Sequence, residues 1–143
     1  MRVHCAALPF GLPVGRLSCS ARLLGFTHYW GKSRRGNHVV LKETAKARFR
    51  RSLQPIKEWV RDNRHRPLAE QQRKLNEKLR GHDAYFGVTG NSRMLGKLRW
   101  QVARLWCKWL GRRNRGSPMN WQRFNALLKA SPLTPVRVVH SVM

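Results

Sequence analysis

Three sets of residues have types and spacings that could do chemistry. The first is the run Lys78-Leu-Arg-Gly-His-Asp-Ala-Tyr-Phe-Gly-Val-Thr-Gly90, whose three glycines could cradle a phosphate or act as packing devices in a helical scaffold. Its Gly87-Val-Thr-Gly90 portion has the GXXG spacing by which some modules clamp nucleic-acid backbone. The second set is the acids, Glu43, Glu58, Asp62, Glu70, Glu77 and Asp83. No two are adjacent, and no pair has the strand context with which two-metal polymerases and nucleases hold Mg²⁺, so nucleotidyl transfer by this chain alone is not expected. The third set is Cys5, Cys19 and Cys107, which form no C-x-x-C pair and no Cys/His spacing of a zinc site. They read as reduced, intracellular thiols, with Cys107, beside Trp106, in a packing role rather than a nucleophilic one. No metal site, cofactor or catalytic residue is expected.

Binding is a different matter. The sequence carries 30 Lys and Arg against 6 Asp and Glu, a formal charge of +24 over 143 residues, which implies a polyanionic partner. No acid follows Asp83, so the field is strongest in the C-terminal half. With 41% hydrophobic content the chain can bury a modest core, unlike a disordered basic tail. No apolar run approaches the roughly 18 residues of a membrane span. At helical spacing, Arg93, Lys97, Arg104 and Lys108 project within about 60° of one another, with Trp100 beside them. A solvated face with Trp100 packed on a neighbour is the plain reading. An RNA surface, with cations on phosphates and Trp100 stacking a base, is the sharper one, and the net charge favours it. Lys46, Arg50, Lys57, Arg61 and Arg64 form a second stripe, and Arg112 and Arg113 extend the first. Lys32, Arg34 and Arg35 cluster near Tyr29 and Trp30, either as a solvated tip or as further backbone contacts.

These residues need elements to hold them. From Leu23, LLGFTHYW and HVVLKE flank the turn-rich GKSRRGN, which predicts a β-hairpin. Thr44 to Arg64 reads as a helix with Thr44 as N-cap and Phe49, Leu53, Ile56 and Val60 on its apolar face, kinked or broken by Pro55 near Gln54. After Pro67, the positions Leu68, Gln72, Leu75 and Leu79 lead in register to Phe86, so a helix can run through Gly81. A long helix is expected from Asn91 or Ser92 to about Arg113, burying Leu95, Leu98, Val102, Leu105, Trp106 and Trp109. A short one follows Asn120 as N-cap, burying Trp121, Phe124, Leu127 and Leu128, until Pro132 and Pro135 end regular structure. The expected fold is mainly α, an N-terminal β-hairpin followed by a helical bundle. Residues 1–22, with three Arg, no acid and Pro9 and Pro13, read as a disordered or vestigial leader. Mitochondrial targeting competes, but the prolines interrupt the amphipathic helix of a transit peptide.

LLGFTHYW, TAKARFRRSL, RHRPLAEQ, KLNEKLRGHDAYFGVTGN and WQRFNALLKASPL followed by PVRVVHSV resemble, in order over residues 23–143, the maturase-specific domain of bacterial group II intron reverse transcriptase/maturases. The signature of the resemblance is Gly25, Phe26, Leu75, Leu79, Arg80, Gly81, Tyr85, Phe86 and Gly87. It implies a thumb-like domain that follows the polymerase fingers and palm, binds group II intron RNA and helps it reach the splicing-competent fold, in the bacterial cytoplasm. The Tyr-Ala-Asp-Asp box, the polymerase region and a Cys/His-rich endonuclease module are all missing from this sequence. Ala-Arg-Leu replaces the usual Phe-Asp-Phe before Leu24, which points to a truncation or frame change near residue 22. The alternatives are a non-catalytic fragment needing an upstream reverse-transcriptase polypeptide, a retroelement remnant, or a generic basic ribosome-associated protein. Because Leu75, Leu79 and Phe86 share one register through Gly81, that glycine reads as permitting close helix packing, Tyr85 and Phe86 as core, and Gly87 to Gly90 as the turn into the next helix. The backbone-clamp reading of GXXG falls away because Val88 and Thr89 bring no charge and the strands such a module needs next are absent.

Overall fold

A computed structural model of the chain describes residues 21–113, 116 and 119–140. The expected leader, apart from Ala21 and Arg22, lies outside the described residues, as do Cys5 and Cys19. The predicted hairpin is present as β2 (Phe26–Lys32) and β3 (His38–Thr44), paired antiparallel from Phe26↔Thr44 to Lys32↔His38. A third strand that the sequence did not announce, β1 (Ala21–Leu23), completes a sheet of order β1-β2-β3. It was hidden because its turn is Leu24-Gly25, both at positive φ (52° and 83°). That geometry usually signals itself with Asn-Gly, whereas here a leucine occupies the left-handed position.

Four helices follow: α1 (Lys46–Asp62), α2 (Leu68–Phe86), α3 (Ser92–Gly111) and α4 (Trp121–Ala130). The chain is thus mainly α with a small N-terminal sheet. Thr44 does not cap α1. It ends β3, and Ala45 holds the N-cap position with no side-chain cap. The reason is Asn91, whose Oδ1 accepts Thr44 N–H at 2.9 Å and whose Nδ2 donates to Thr44 Oγ1 and Phe86 O, both at 2.8 Å. This buried amide ties sheet, α2 and α3 together. Nor does Pro55 break α1, which continues through it. A helix-interior proline costs about 3 kcal/mol through one lost hydrogen bond and a ring clash. Phe49 before it and Ile56 and Val60 after it, all buried, anchor the helix on both sides of the proline.

Helix α2 runs through Gly81 as predicted. Its buried face, however, is Gln71, Leu75, Leu79, Asp83 and Phe86, while Leu68 is exposed and Gln72 half-buried. Gln71 belongs inside because its Oε1 accepts Trp106 Nε1–H at 2.8 Å while its Nε2 donates to Arg66 O at 2.7 Å. Gly81 does not permit close packing: a Cβ there would meet nothing within 4 Å. Gly87 is the residue that does, since a Cβ would collide with Asp83 O at 2.3 Å and Arg137 O at 2.8 Å.

The core comprises Phe49, Ile56, Val60, Leu75, Leu79, Leu98, Val102, Trp106 and Phe124 among others. Trp106 meets Phe124 edge-on at 5.7 Å, which seats α4. Asn120 caps α4 as expected, accepting Arg123 N–H at 2.9 Å. Trp121, expected inside, is 46% exposed and lies at the edge of the core with its ring 5.4 Å from that of Phe124. Leu127 and Leu128 pack partly buried against the core, as do Trp109 and Cys107, whereas Leu105, expected inside, is half-buried. A second cluster, Phe26, Phe86, Val88 and Leu95, joins the sheet to the helices.

Residues 132–140 form an extended strap. Arg99 from α3 donates to Thr134 O at 2.7 Å and Pro135 O at 3.0 Å and pairs with Asp83 of α2. Asp83 in turn accepts Arg137 N–H at 3.3 Å, and Gly87 O accepts Val139 and His140 N–H at 2.7 and 2.8 Å.

Candidate nucleic-acid interface

On α3, Arg93, Lys97, Trp100, Arg104 and Lys108 all lie exposed, opposite the buried Leu98, Val102 and Trp106. The helix period alone places them so. Trp100 does not pack on a neighbouring element. It is 50% exposed, and the Arg104 guanidinium lies 4.6 Å from its ring centre, within cation–π range. Among the described residues, ion pairs engage Arg61, Arg66, Lys74 and Arg99. None of these is on the α3 stripe, so its cations are available to an outside anion.

On α1, Lys46, Arg50, Lys57 and Arg61 are exposed, and Arg61 Nε binds Asp62 Oδ1 at 2.8 Å. That carboxylate raises the Arg61 pKa further by hydrogen bond and charge. The two stripes adjoin where Lys97 Nζ lies 6.0 Å from the Phe49 ring centre, next to Arg50. Arg64 is not on the α1 helix. It follows the helix half-buried, and together with Arg112 it converges on Trp109, at 6.0 and 4.9 Å from the ring centre. Arg113 is exposed just beyond α3. Lys32, Arg34 and Arg35 are exposed at the outer end of the β2–β3 ribbon. Lys32 stands six residues beyond Phe26 along β2, about 20 Å at strand rise, and Arg34 and Arg35 lie in the turn that follows it. Trp30 is exposed on the same ribbon, and Tyr29 is half-buried.

A cavity of about 430 Å³ opens where the sheet meets the start of α1, lined by Arg22, Thr27, Glu43, Lys46 and Arg50. The first turn of α1 holds no acid and no side-chain cap. The positive end of a helix beside three cations favours an anion there. Arg22 falls in the stretch expected as a leader, and only the unexpected β1 brings it to this place.

The GXXG segment cannot serve as a phosphate clamp. Gly87 N–H is taken by Asp83 O at 2.7 Å and Val88 N–H by Phe86 O at 2.8 Å, and the strap covers Gly87. The remaining signature residues divide between core and surface. Phe26, Leu75, Leu79 and Phe86 are buried, and Arg80 is exposed. Gly25 makes the β1–β2 turn. Tyr85, expected in the core, is 55% exposed. It lies roughly parallel to Phe26 at 6.2 Å, and its hydroxyl donates to Leu24 O at 3.0 Å. Burial pushes the Cys107 thiol up, away from the reactive thiolate. Among the described residues no group of three His, Cys, Asp or Glu could hold a metal ion, and no helix is long and apolar enough to cross a membrane.

Comparison with the curated proteins and with the solved structures returned no significant match. The family model described as group II intron, maturase-specific domain matches residues 47–126, from the first turn of α1 into α4 and more than half of the chain. The chain therefore belongs to the group II intron maturase-specific domain family.

Proposed function

We propose that the chain binds group II intron RNA through the adjoining basic stripes of α1 and α3 and steadies the fold in which the intron splices, in the bacterial cytoplasm. The RNA and its Mg²⁺ carry out the transesterification. The observation that carries this reading is the α3 stripe, four exposed cations around a half-exposed Trp100. Cations on two helices neutralise phosphates of separate RNA segments, which lowers the repulsion that keeps them apart. Membership of the maturase-specific family supports intron RNA as the polyanion. Binding of the purified chain to a group II intron RNA and to a size-matched control RNA is the test, and tighter binding to the intron is expected. Equal affinity would sink the reading in favour of a generic basic RNA-binding protein. Within that measurement, Trp100→Ala should weaken binding with little change in salt dependence, while Lys97→Ala should reduce the dependence.

A second reading, partnership with an upstream reverse-transcriptase polypeptide, draws on Leu23, Leu24 and Tyr85, exposed apolar side chains at the β1–β2 turn. Co-purification of that polypeptide with the wild type, and its loss with Leu24→Asp, would favour it.

A further inference from the structure

Pro55 sits inside α1 and Gly81 inside α2, two residues that each disfavour the helix they occupy. Both are exposed, and the open space around Gly81 means that no packing contact accounts for the glycine. They line the same cleft, a cavity of about 290 Å³ between the two helices, close to the roughly 300 Å³ at which small-molecule sites begin. Ser52 joins Pro55 from α1, while Lys78, His82 and Tyr85 join Gly81 from α2. The helix period puts those α2 positions on one face. Local preferences broken without a compensating contact mark functional places in a fold.

The walls are flat and aromatic. His82 stacks on Phe86 at 4.6 Å with 25° between the planes, and Tyr85 meets Phe86 edge-on at 4.7 Å. The one cation on the lining is Lys78. Both ring nitrogens of His82 are buried without a protein partner, a state that costs free energy until a partner is supplied. A turn about the broad outer torsion of the ring would offer one nitrogen to a ligand edge. Burial also lowers the His82 pKa, so the ring stacks as a neutral surface.

We infer that this cleft receives one unstacked nucleobase of a bound RNA, with its plane against Tyr85 and Pro55 and its phosphate on Lys78. The inference rests on the RNA-binding reading and adds to it: the α3 stripe offers cations and an exposed Trp100 face, whereas the cleft encloses a further base. An aromatic side chain of a protein would fit the shape, but Lys78 and the charge of +24 favour a nucleotide.

The test uses the full chain and a short single-stranded RNA carrying one 2-aminopurine, beside the same RNA made abasic at that position. Wild type should quench the 2-aminopurine and prefer the base-containing RNA by about tenfold, the scale of one stacked base. Gly81→Leu fills the cleft with a good helix former in open space, and an unchanged or raised melting temperature will show that it folds. It should abolish both quenching and preference while leaving the salt slope of residual binding unaltered. Lys78→Gln should lower that slope by about one. Quenching and preference that persist in Gly81→Leu would overturn the inference, as would their loss in Trp100→Ala alone, which places the base on α3. Tight, salt-dependent binding of both RNAs by wild type without preference overturns the cleft and leaves the RNA reading standing. Failure to bind either RNA overturns both.

Discussion

Replacing Asp83 by Asn would leave the Arg99 guanidinium buried without a counter-charge, since the two side chains are 3% and 11% exposed. Breaking one partner of such a pair costs about 3–5 kcal/mol, and here it also loosens the strap, which both residues hold. Asp83→Asn should therefore lower the urea midpoint steeply, and Asp83→Asn combined with Arg99→Leu should recover part of the loss. Additive losses in the double variant would show that the pair is not a unit. The neighbouring His82 gives a pH signature. Burial lowers its pKa, with Asp83 raising it and Arg99 lowering it by less, and Lys78 shares the cleft. A proton then binds the unfolded chain before the folded one. The contribution is complete above about 6.5, the ordinary histidine value, and is lost as pH falls toward the lowered folded value. The melting temperature should drop between about pH 7.5 and 5.5, and His82→Phe, which keeps the stacking on Phe86, should make that drop shallower.

Helix α2 shows both what was legible at the scale of an element and what was not. Its span could be read from the recurrence of Leu75, Leu79 and Phe86, because period is a property of the chain itself. The use of its glycine could not be read, because that depends on what a side chain at Gly81 would meet, which only tertiary packing sets. Since nothing stands opposite, Gly81→Ala should stabilise the protein by about 1 kcal/mol, the difference in helix preference, as read by chemical denaturation. A loss of stability would mean that α1 closes on this position. The same distinction explains Thr44 and Tyr85. Thr44 has the composition of an N-cap, yet the buried Asn91 claims it. Tyr85 has the composition of core, yet a hydroxyl that reaches Leu24 O holds the ring at the surface. Cationic stripes were legible because exposure follows from period and charge together. The placement of Arg22 beside Lys46 was not, because the Leu24-Gly25 turn carries no usual signature.

Across the whole molecule, the question is how many of the cations act together. Counterion release makes the logarithm of affinity fall by about 0.9 for each phosphate neutralised on a duplex, and by about 0.7 on a single strand, per tenfold rise in salt. If Arg93, Lys97, Arg104 and Lys108 each hold one phosphate, converting all four to Gln should flatten the slope by about 3–4. Converting Lys32, Arg34 and Arg35, at the outer end of the ribbon, should flatten it further only if one RNA spans both regions. An intron large enough to reach from α3 to the sheet would then give additive changes in slope, whereas a short RNA would register the α3 change alone. Titration of both variants against long and short RNAs over about 50–300 mM salt reads this directly. A slope unaffected by the four α3 substitutions would remove that helix from the interface and shift the binding surface to the cavity at Arg22, Lys46 and Arg50.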